Sequence, residues 1–444
     1  MNLRTLVAPL GFATILTLWP SAAQADTSTW YEVGGQITGI DQQAFPFRSP
    51  YAGPNSFQSS YQNAATHTYT LFLGIRPLND LEFYLNPEMA RGYGLGGAVG
   101  LAGFTNGDVI RQGGFNLSEA PYLARAFIRY DLPLGSGRVS VPAGENVIPG
   151  EKAASCLRLT AGKLGTNDLF DVNGYANSTR VQFANWAFIT DPAYDYAADT
   201  RGYSIGAALE WIHPTWTLRA GSFMMPALAN GPDLDPDLAN ARGDQVELET
   251  QARLGPAEPA TVRLLGYMNH AHMGNYAQSV ATAPPWQAPD ITKTERVGAI
   301  KYGAALNVEQ PLADGGNTGV WARLGWDDGQ TESFAYTEAD QAFSVGAQVS
   351  GARWSRGGDR LGLALGVNGL AASHIAYLKA GGIGFMLGDG QLNYGPETIV
   401  EAFYAWQLPW NLTLSPDVQW IANPGYNLDR GPATVLGVRL HAEI

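Results

Sequence analysis

The last residues of the chain alternate without a break. Thr434, Leu436, Val438, Leu440, Ala442 and Ile444 fall on one side of an extended backbone, and Val435, Gly437, Arg439, His441 and Glu443 on the other. Period two over about eleven residues dictates a strand with one apolar face. Tyr122–Leu132 repeats the pattern, with Tyr122, Ala124, Ala126, Ile128 and Tyr130 set against Leu123, Arg125, Phe127, Arg129 and Asp131. Gln245–Leu254 does so again, with Val246, Leu248, Ala252 and Leu254 opposite Gln245, Glu247, Glu249, Gln251 and Arg253. The chain holds about sixteen such segments. The others lie near 30–38, 67–76, 81–86, 156–163, 202–212, 215–223, 261–269, 302–310, 320–327, 343–351, 360–368, 399–408 and 412–421.

The connections say more than the count. Short links such as Pro77–Asp80, His213–Pro214, Gly255–Ala260 and Pro409–Asn411 alternate with long ones at 39–66, 87–121, 164–201, 270–301 and 369–398. One link, 133–155, is long where a short turn is due. An even set of antiparallel strands, with short turns at one end and long loops at the other, describes an all-β outer-membrane barrel. A soluble sandwich or propeller would also alternate, but around a dry core and with shorter strands. The mixed faces carry many Arg and Glu, which suits a water-filled interior. Trp211 and Trp216 flank one turn, and Tyr404, Trp406 and Trp410 another, as an interfacial girdle would. A mean hydropathy of -0.11 reads as soluble, yet barrel strands are apolar on alternate residues only.

The first 25 residues read as a cleaved signal peptide. Arg4 supplies the early charge, Thr5–Pro20 the apolar stretch and Ala23-Gln24-Ala25 the cleavage site, which leaves 26–444 as a single barrel domain. Pro9, Gly11 and Pro20 break the stretch below the length of a spanning helix, and no other long apolar run follows. A net charge of -13 argues against nucleic acid as a partner. The single cysteine, Cys156, excludes a disulfide framework.

Two enzyme motifs are matched only in letters. Gly92-x-Gly94-x-x-Gly97 fits a dinucleotide fingerprint, but no helix pattern follows it. Gly202-Tyr203-Ser204-Ile205-Gly206 fits a nucleophile elbow, but the alternation runs straight on through Ala207, Leu209 and Trp211. The reading is therefore no enzyme and no cofactor, with an outer-membrane hydrolase as the outlying alternative. His270 and His272 would share one side of a strand and could hold a divalent ion, with Asp327, Asp328 and Glu332 as oxygen donors elsewhere in the chain. Loop residues at a strand end are the plainer account of the pair.

Several blocks resemble the carbohydrate-selective porins of the OprB family. They are Asn86-Pro87-Glu88 with Gly92-Tyr93-Gly94-Leu95, then Gly100–Gly107, Leu169–Asn173, Asp195–Gly202, Asn393–Glu397 and Asn423–Pro432. The resemblance implies a sixteen-stranded outer-membrane barrel that passes small sugars by diffusion. A subgroup with similar blocks includes proteins regarded as manganese porins, which makes a Mn²⁺ channel the alternative. Such barrels usually end in Phe, where this chain has Ile444. Monomer and homo-oligomer both fit, with outer-membrane lipid around the wall.

A channel filters by the size, charge and hydrogen bonding of its lining. Parity nominates Arg125, Phe127, Arg129, Asp131, Arg219, Glu247, Glu249, Arg253, Arg263, Trp321, Arg323, Glu401 and Phe403 as lumen-facing. Cross-strand ion pairing in the wall is the alternative role for each. Arg outnumbers Lys by 22 to 5, which suits planar, multi-donor contacts with hydroxyls. Gly92–Gly107, with Glu88 and Arg91 before it, is expected to fold inside the barrel as a constriction, because Leu95, Ala98, Val99, Leu101 and Phe104 need cover from water.

Overall fold

The computed structural model describes residues 29–108, 117–253, 258–334 and 338–444, so the expected signal peptide and Leu254 fall outside it. Sixteen antiparallel strands close into one barrel. They are β1 (Tyr31–Ala44), β2 (Gln62–Leu78), β3 (Leu81–Gly92), β4 (Tyr122–Pro133), β7 (Cys156–Leu164), β8 (Ser204–His213), β9 (Trp216–Met224) and β10 (Arg242–Ala252), followed by β11 (Ala260–Met273), β12 (Arg296–Ala313), β13 (Thr318–Asp327), β14 (Gln341–Ser350), β15 (Arg360–Gly369), β16 (Glu397–Leu408), β17 (Leu412–Ala422) and β18 (Ala433–Glu443). A separate hairpin, β5 (Arg138–Val141) and β6 (Gly150–Ala153), occupies the long link between β4 and β7. Each segment expected from alternation is a wall strand, and several run further toward the long loops.

β1 pairs with β18, so the wall has no free edge. At the seam Ile444 and Gly35 exchange two backbone hydrogen bonds of 2.8 Å. Among the described residues no helix is long and apolar enough to cross a membrane. On β18, Leu436, Val438 and Leu440 are exposed outward while Val435, Arg439 and His441 are buried inward, as alternation requires. Aromatics band both rims. Trp211 packs on Trp216 at the short-turn end, and Tyr302 on Trp326 at the long-loop end.

Among the described residues whose faces alternation assigns, parity fails at the start of β4. Asn86 faces Arg125 across the ladder, but the next residue, Pro87, faces Leu123, so Ala124 is an extra residue in β4. Pro87 has no N–H to give the ladder, and the bulge accommodates that loss. Its effect is to flip the start of the strand. Tyr122, expected outside, points in and donates to Glu88, whereas Leu123, expected inside, is exposed. Ala124, expected against lipid, is fully buried. From Arg125 onward the expected faces are kept.

The core lies inside the barrel. Phe183 packs on Phe403 at 5.0 Å and on Trp321 at 5.8 Å, and Phe188 packs on the same tryptophan at 6.2 Å. Phe104, Trp186, Tyr194, Tyr196 and Tyr267 form a second aromatic group. Each such ring contributes about 1.5–3 kcal/mol when buried. The rings come from connections that enter the lumen and from the wall they cover.

Candidate functional site

The connection 165–203 folds into the barrel and lies along the inner faces of β10 to β18. A chain entering a closed wall carries backbone donors and acceptors that must be met. The wall meets them with side chains. Glu247 accepts from the Asp171 N–H at 2.8 Å and Glu309 from that of Gly174 at 2.5 Å. Arg439 donates to the Thr179 and Gln182 carbonyls at 2.5 and 2.7 Å. Glu401 accepts from Ala184 and Asn185 at 2.5 and 2.9 Å, and Tyr267 donates to the Ala193 carbonyl at 2.7 Å. Arg323 donates to the Asp171 carboxylate and carbonyl, both at 3.0 Å, and to the Phe188 and Ala176 carbonyls at 2.7 and 2.8 Å.

A second connection, 93–108, packs beside the first. Trp186 donates its backbone N–H to the Phe104 carbonyl at 3.0 Å, Gly107 to that of Ala184 at 2.8 Å, and the two rings stack at 5.2 Å. Glu397 accepts from the Ala102 N–H at 3.0 Å, while Gln42 and Gln419 donate to the Thr105 carbonyl at 2.7 and 2.8 Å. Gly107 is needed for this approach, since a Cβ there would sit 2.3 Å from the Thr179 hydroxyl.

These two connections cover much of the wall, and along their other side they and β3, β4 and β8 to β12 together form a polar strip. Arg125 grips Asp168 with two hydrogen bonds of 2.7 and 2.6 Å. Arg180 donates to Glu88 at 2.9 Å and to Asp108 at 3.1 Å. Tyr122 and Tyr203 donate to the other Glu88 oxygen at 2.5 and 3.1 Å. Lower down, Arg219 bridges Glu210, Glu247 and Glu249, and Arg263 joins Glu249 to Glu309. The side chains of Arg125, Asp168 and Glu249 keep 19, 29 and 25 % of their surface open. Burial pushes the Asp108 carboxyl up, against the pull of Arg180. The strip presents guanidinium donors and carboxylate acceptors in alternation. Its aromatic faces are already occupied, because Arg201 sits 3.9 Å over the Tyr122 ring and Arg125 5.2 Å over Tyr203.

The strip revises the list of lining residues. Phe127, Glu247, Trp321, Arg323, Glu401 and Phe403 face inward but are buried beneath rings or infolded backbone, so they anchor rather than line. Asp131 is buried and paired with Arg158 at 2.7 Å. Arg129 donates to the Asn146 carbonyl of the hairpin at 3.0 Å. Arg253 lies exposed beyond the end of β10. Glu88 and Arg91 belong to β3, not to a loop, with Glu88 buried and Arg91 exposed on the outward face opposite His67. Parity reports the side of the wall and is blind to what covers it. The infolding of 165–203 was missed, although its own sequence carried the signal: Phe170, Tyr175, Phe183, Trp186, Phe188, Tyr194 and Tyr196 need cover as much as Leu101 and Phe104 do.

His270 and His272 extend the outward face of β11 that carries Leu264 and Met268, away from the lumen. Asp235 is 3.8 Å from His272. Glu332 instead accepts from the Gly274 N–H, and Asp327 neighbours Lys301. No group of three or more His, Cys, Asp or Glu is placed to hold a metal ion among the described residues. Ser204 lies in the straight strand β8 and donates to the Met224 carbonyl at 2.7 Å, so the elbow geometry is not formed.

A closed sixteen-strand wall with apolar outer faces, aromatic rims and infolded loops beside a polar strip defines a porin of the outer membrane. A family model of the carbohydrate-selective porins, OprB family, matches residues 73–443, and the chain belongs to that family. It is a passive channel for small sugars. The structure superposes on that of Pseudomonas putida OprB at high pH with a TM-score of 0.70 and 15% identity, covering 94% of each chain. The DcaP channel of Acinetobacter baumannii gives a TM-score of 0.49 at 10% identity, covering 93% of this chain and 97% of that one. No curated protein sequence matches the chain. The manganese and hydrolase alternatives find no support in these comparisons.

Proposed function

We propose that sugars cross along the strip formed by Arg125, Asp168, Arg180, Arg219 and Glu249, and that this strip selects neutral polyols by hydrogen bonding. The observation that carries the reading is that guanidinium donors and carboxylate acceptors sit side by side inside the barrel with part of their surface open, Arg125 and Asp168 at 19 and 29 %, Arg180 at 16 %, Arg219 and Glu249 at 14 and 25 %. A sugar hydroxyl both donates and accepts, so it can exchange one such partner for the next without ever being stripped bare. The signal peptide 1–25 would deliver the chain across the inner membrane, and the apolar outer face would sit in outer-membrane lipid. Swelling of liposomes holding the purified protein tests the reading. Glucose and maltose should enter, and Arg125→Ala should change their relative rates while the barrel stays heat-modifiable. Swelling rates that track molecular size alone, in both proteins, would remove the role given to the strip.

A further inference from the structure

The link 133–155 stands at the short-turn end yet does not stay there. Lys152 on β6 reaches Glu82 of β3 with bonds of 2.8 and 3.0 Å. Arg76 of β2 donates to the Ile148 and Pro149 carbonyls at 2.5 and 3.1 Å. Further up, the Tyr84 hydroxyl accepts from the Ile148 N–H at 3.3 Å, and Ile148 is fully buried in one cluster with Tyr84 and Phe127. Asn146 donates its N–H to Glu32 at 2.9 Å while its carbonyl accepts from Arg129. Every one of these wall partners faces inward, so the hairpin rises inside the barrel. A tight turn, bridged between Gly144 and Val147 with Asn146 at φ 55°, ends it.

Glu145 occupies that turn and is exposed. With its amide oriented to satisfy both neighbours, Gln36 of β1 donates to Glu145 at 3.3 Å and accepts from Arg180 at 2.6 Å. Arg180 arrives on the connection from the long-loop end and Glu145 on the hairpin from the opposite end. The two meet on one wall glutamine. Glu88, by contrast, is sealed at 4% exposure, so it cannot meet a solute.

We propose that the 133–155 hairpin is a second constriction built from the periplasmic side, and that Glu145 at its tip sets the charge preference of the channel. This rests on the sugar-conducting reading of the strip. A neutral sugar leaving Arg125 and Arg180 meets Glu145 as its next acceptor. An acidic sugar or an anion meets a negative charge at the same point and is turned back.

Planar-bilayer recording in a KCl gradient tests this. Glu145→Gln should lower the K⁺/Cl⁻ permeability ratio by up to about 16-fold, since one unit charge about 5 Å from an ion in water is worth about fourfold for the attracted cation and again for the repelled anion. Glu145→Cys, the native Cys156 being buried, should show the same fall. A negatively charged methanethiosulfonate should then restore the ratio, and a positively charged one should lower it further. An unchanged ratio in Glu145→Gln, or currents indifferent to both reagents, overturns the proposal. Glucose swelling with the wild type separates the two readings. If glucose fails to enter while the ratio still shifts with Glu145, the sugar strip falls and the charge gate stands.

Discussion

Arg323 is the residue whose removal should say most about how the lumen is filled. Its side chain is 1% exposed and makes four hydrogen bonds of 2.7–3.0 Å, all to the infolded connection. Arg323→Ala leaves the Ala176 and Phe188 carbonyls short of a donor and the Asp171 carboxylate without its cation, held only by neutral donors from Asn307 and the Asp191 N–H, both at 2.7 Å, and from Thr190 at 3.3 Å. Breaking a buried ion pair of this kind costs about 3–5 kcal/mol, because the surviving charge stays buried. The wall does not need Arg323 for its ladder, so the loss falls on the docking of 165–203. At 1.4 kcal/mol per decade, the undocked population rises by about two to three and a half orders of magnitude. Single-channel conductance should rise, and protease should cut within 165–203, while the barrel remains folded and heat-modifiable. Arg323→Lys keeps the charge but loses the planar fork, and should fall between. Wild-type conductance with no new cleavage in Arg323→Ala would refute the anchoring role.

Three further outcomes follow from the geometry. Leu264, 55% exposed at mid-strand on the outer face, should cost about 2–4 kcal/mol of folding stability when changed to Lys, as read by urea titration in lipid; a cost near zero would mean that this face does not meet lipid. Glu82 is buried among Lys152 at 2.8 Å, Arg76 at 2.9 Å and Arg129 at 3.5 Å, so Glu82→Gln should loosen the hairpin by about 3–5 kcal/mol; cleavage mapped to 138–153 checks this, and an intact hairpin contradicts it. At the long-loop end, burial pushes the Glu332 carboxyl up to about 8, and burial against the pull of His374 pushes that of Glu338 up to about 7. Folded values above the unfolded 4.5 mean that the packing of these loops is fully stabilised below about pH 4.5 and weakens as pH rises through 7 to 8. Hydrogen exchange in 328–334 and 382–387 should therefore show more protection at pH 5 than at pH 8.5, after correction for intrinsic rates, and the reverse order would refute it.

What the sequence could and could not say divides along one physical line. Alternation is a local property of a chain with one face in lipid, so each wall strand, from Tyr31–Ala44 to Ala433–Glu443, was legible without knowledge of its neighbours. The failure of parity at Ala124 is also a local event, and Pro87 marks it on the facing strand. The interior obeys a different rule. Glu401, Arg323 and Arg439 carry the charges that suggested a water-filled lumen, yet they spend them on backbone groups of 165–203. A charge on an inner face is satisfied equally by water, by a solute or by a buried carbonyl, and no periodicity tells these apart. The discriminating signal sits in the connections instead. Aromatic residues at 170–196 and a link at 133–155 too long for its end of the barrel both mark backbone that must find cover, and inside a closed wall only the lumen offers it. The features that conceal the lining therefore also point to the proposed one: where the connections meet the wall, Arg125 on β4 and Asp168, Arg180 and Glu145 on the connections themselves keep surface open to a solute.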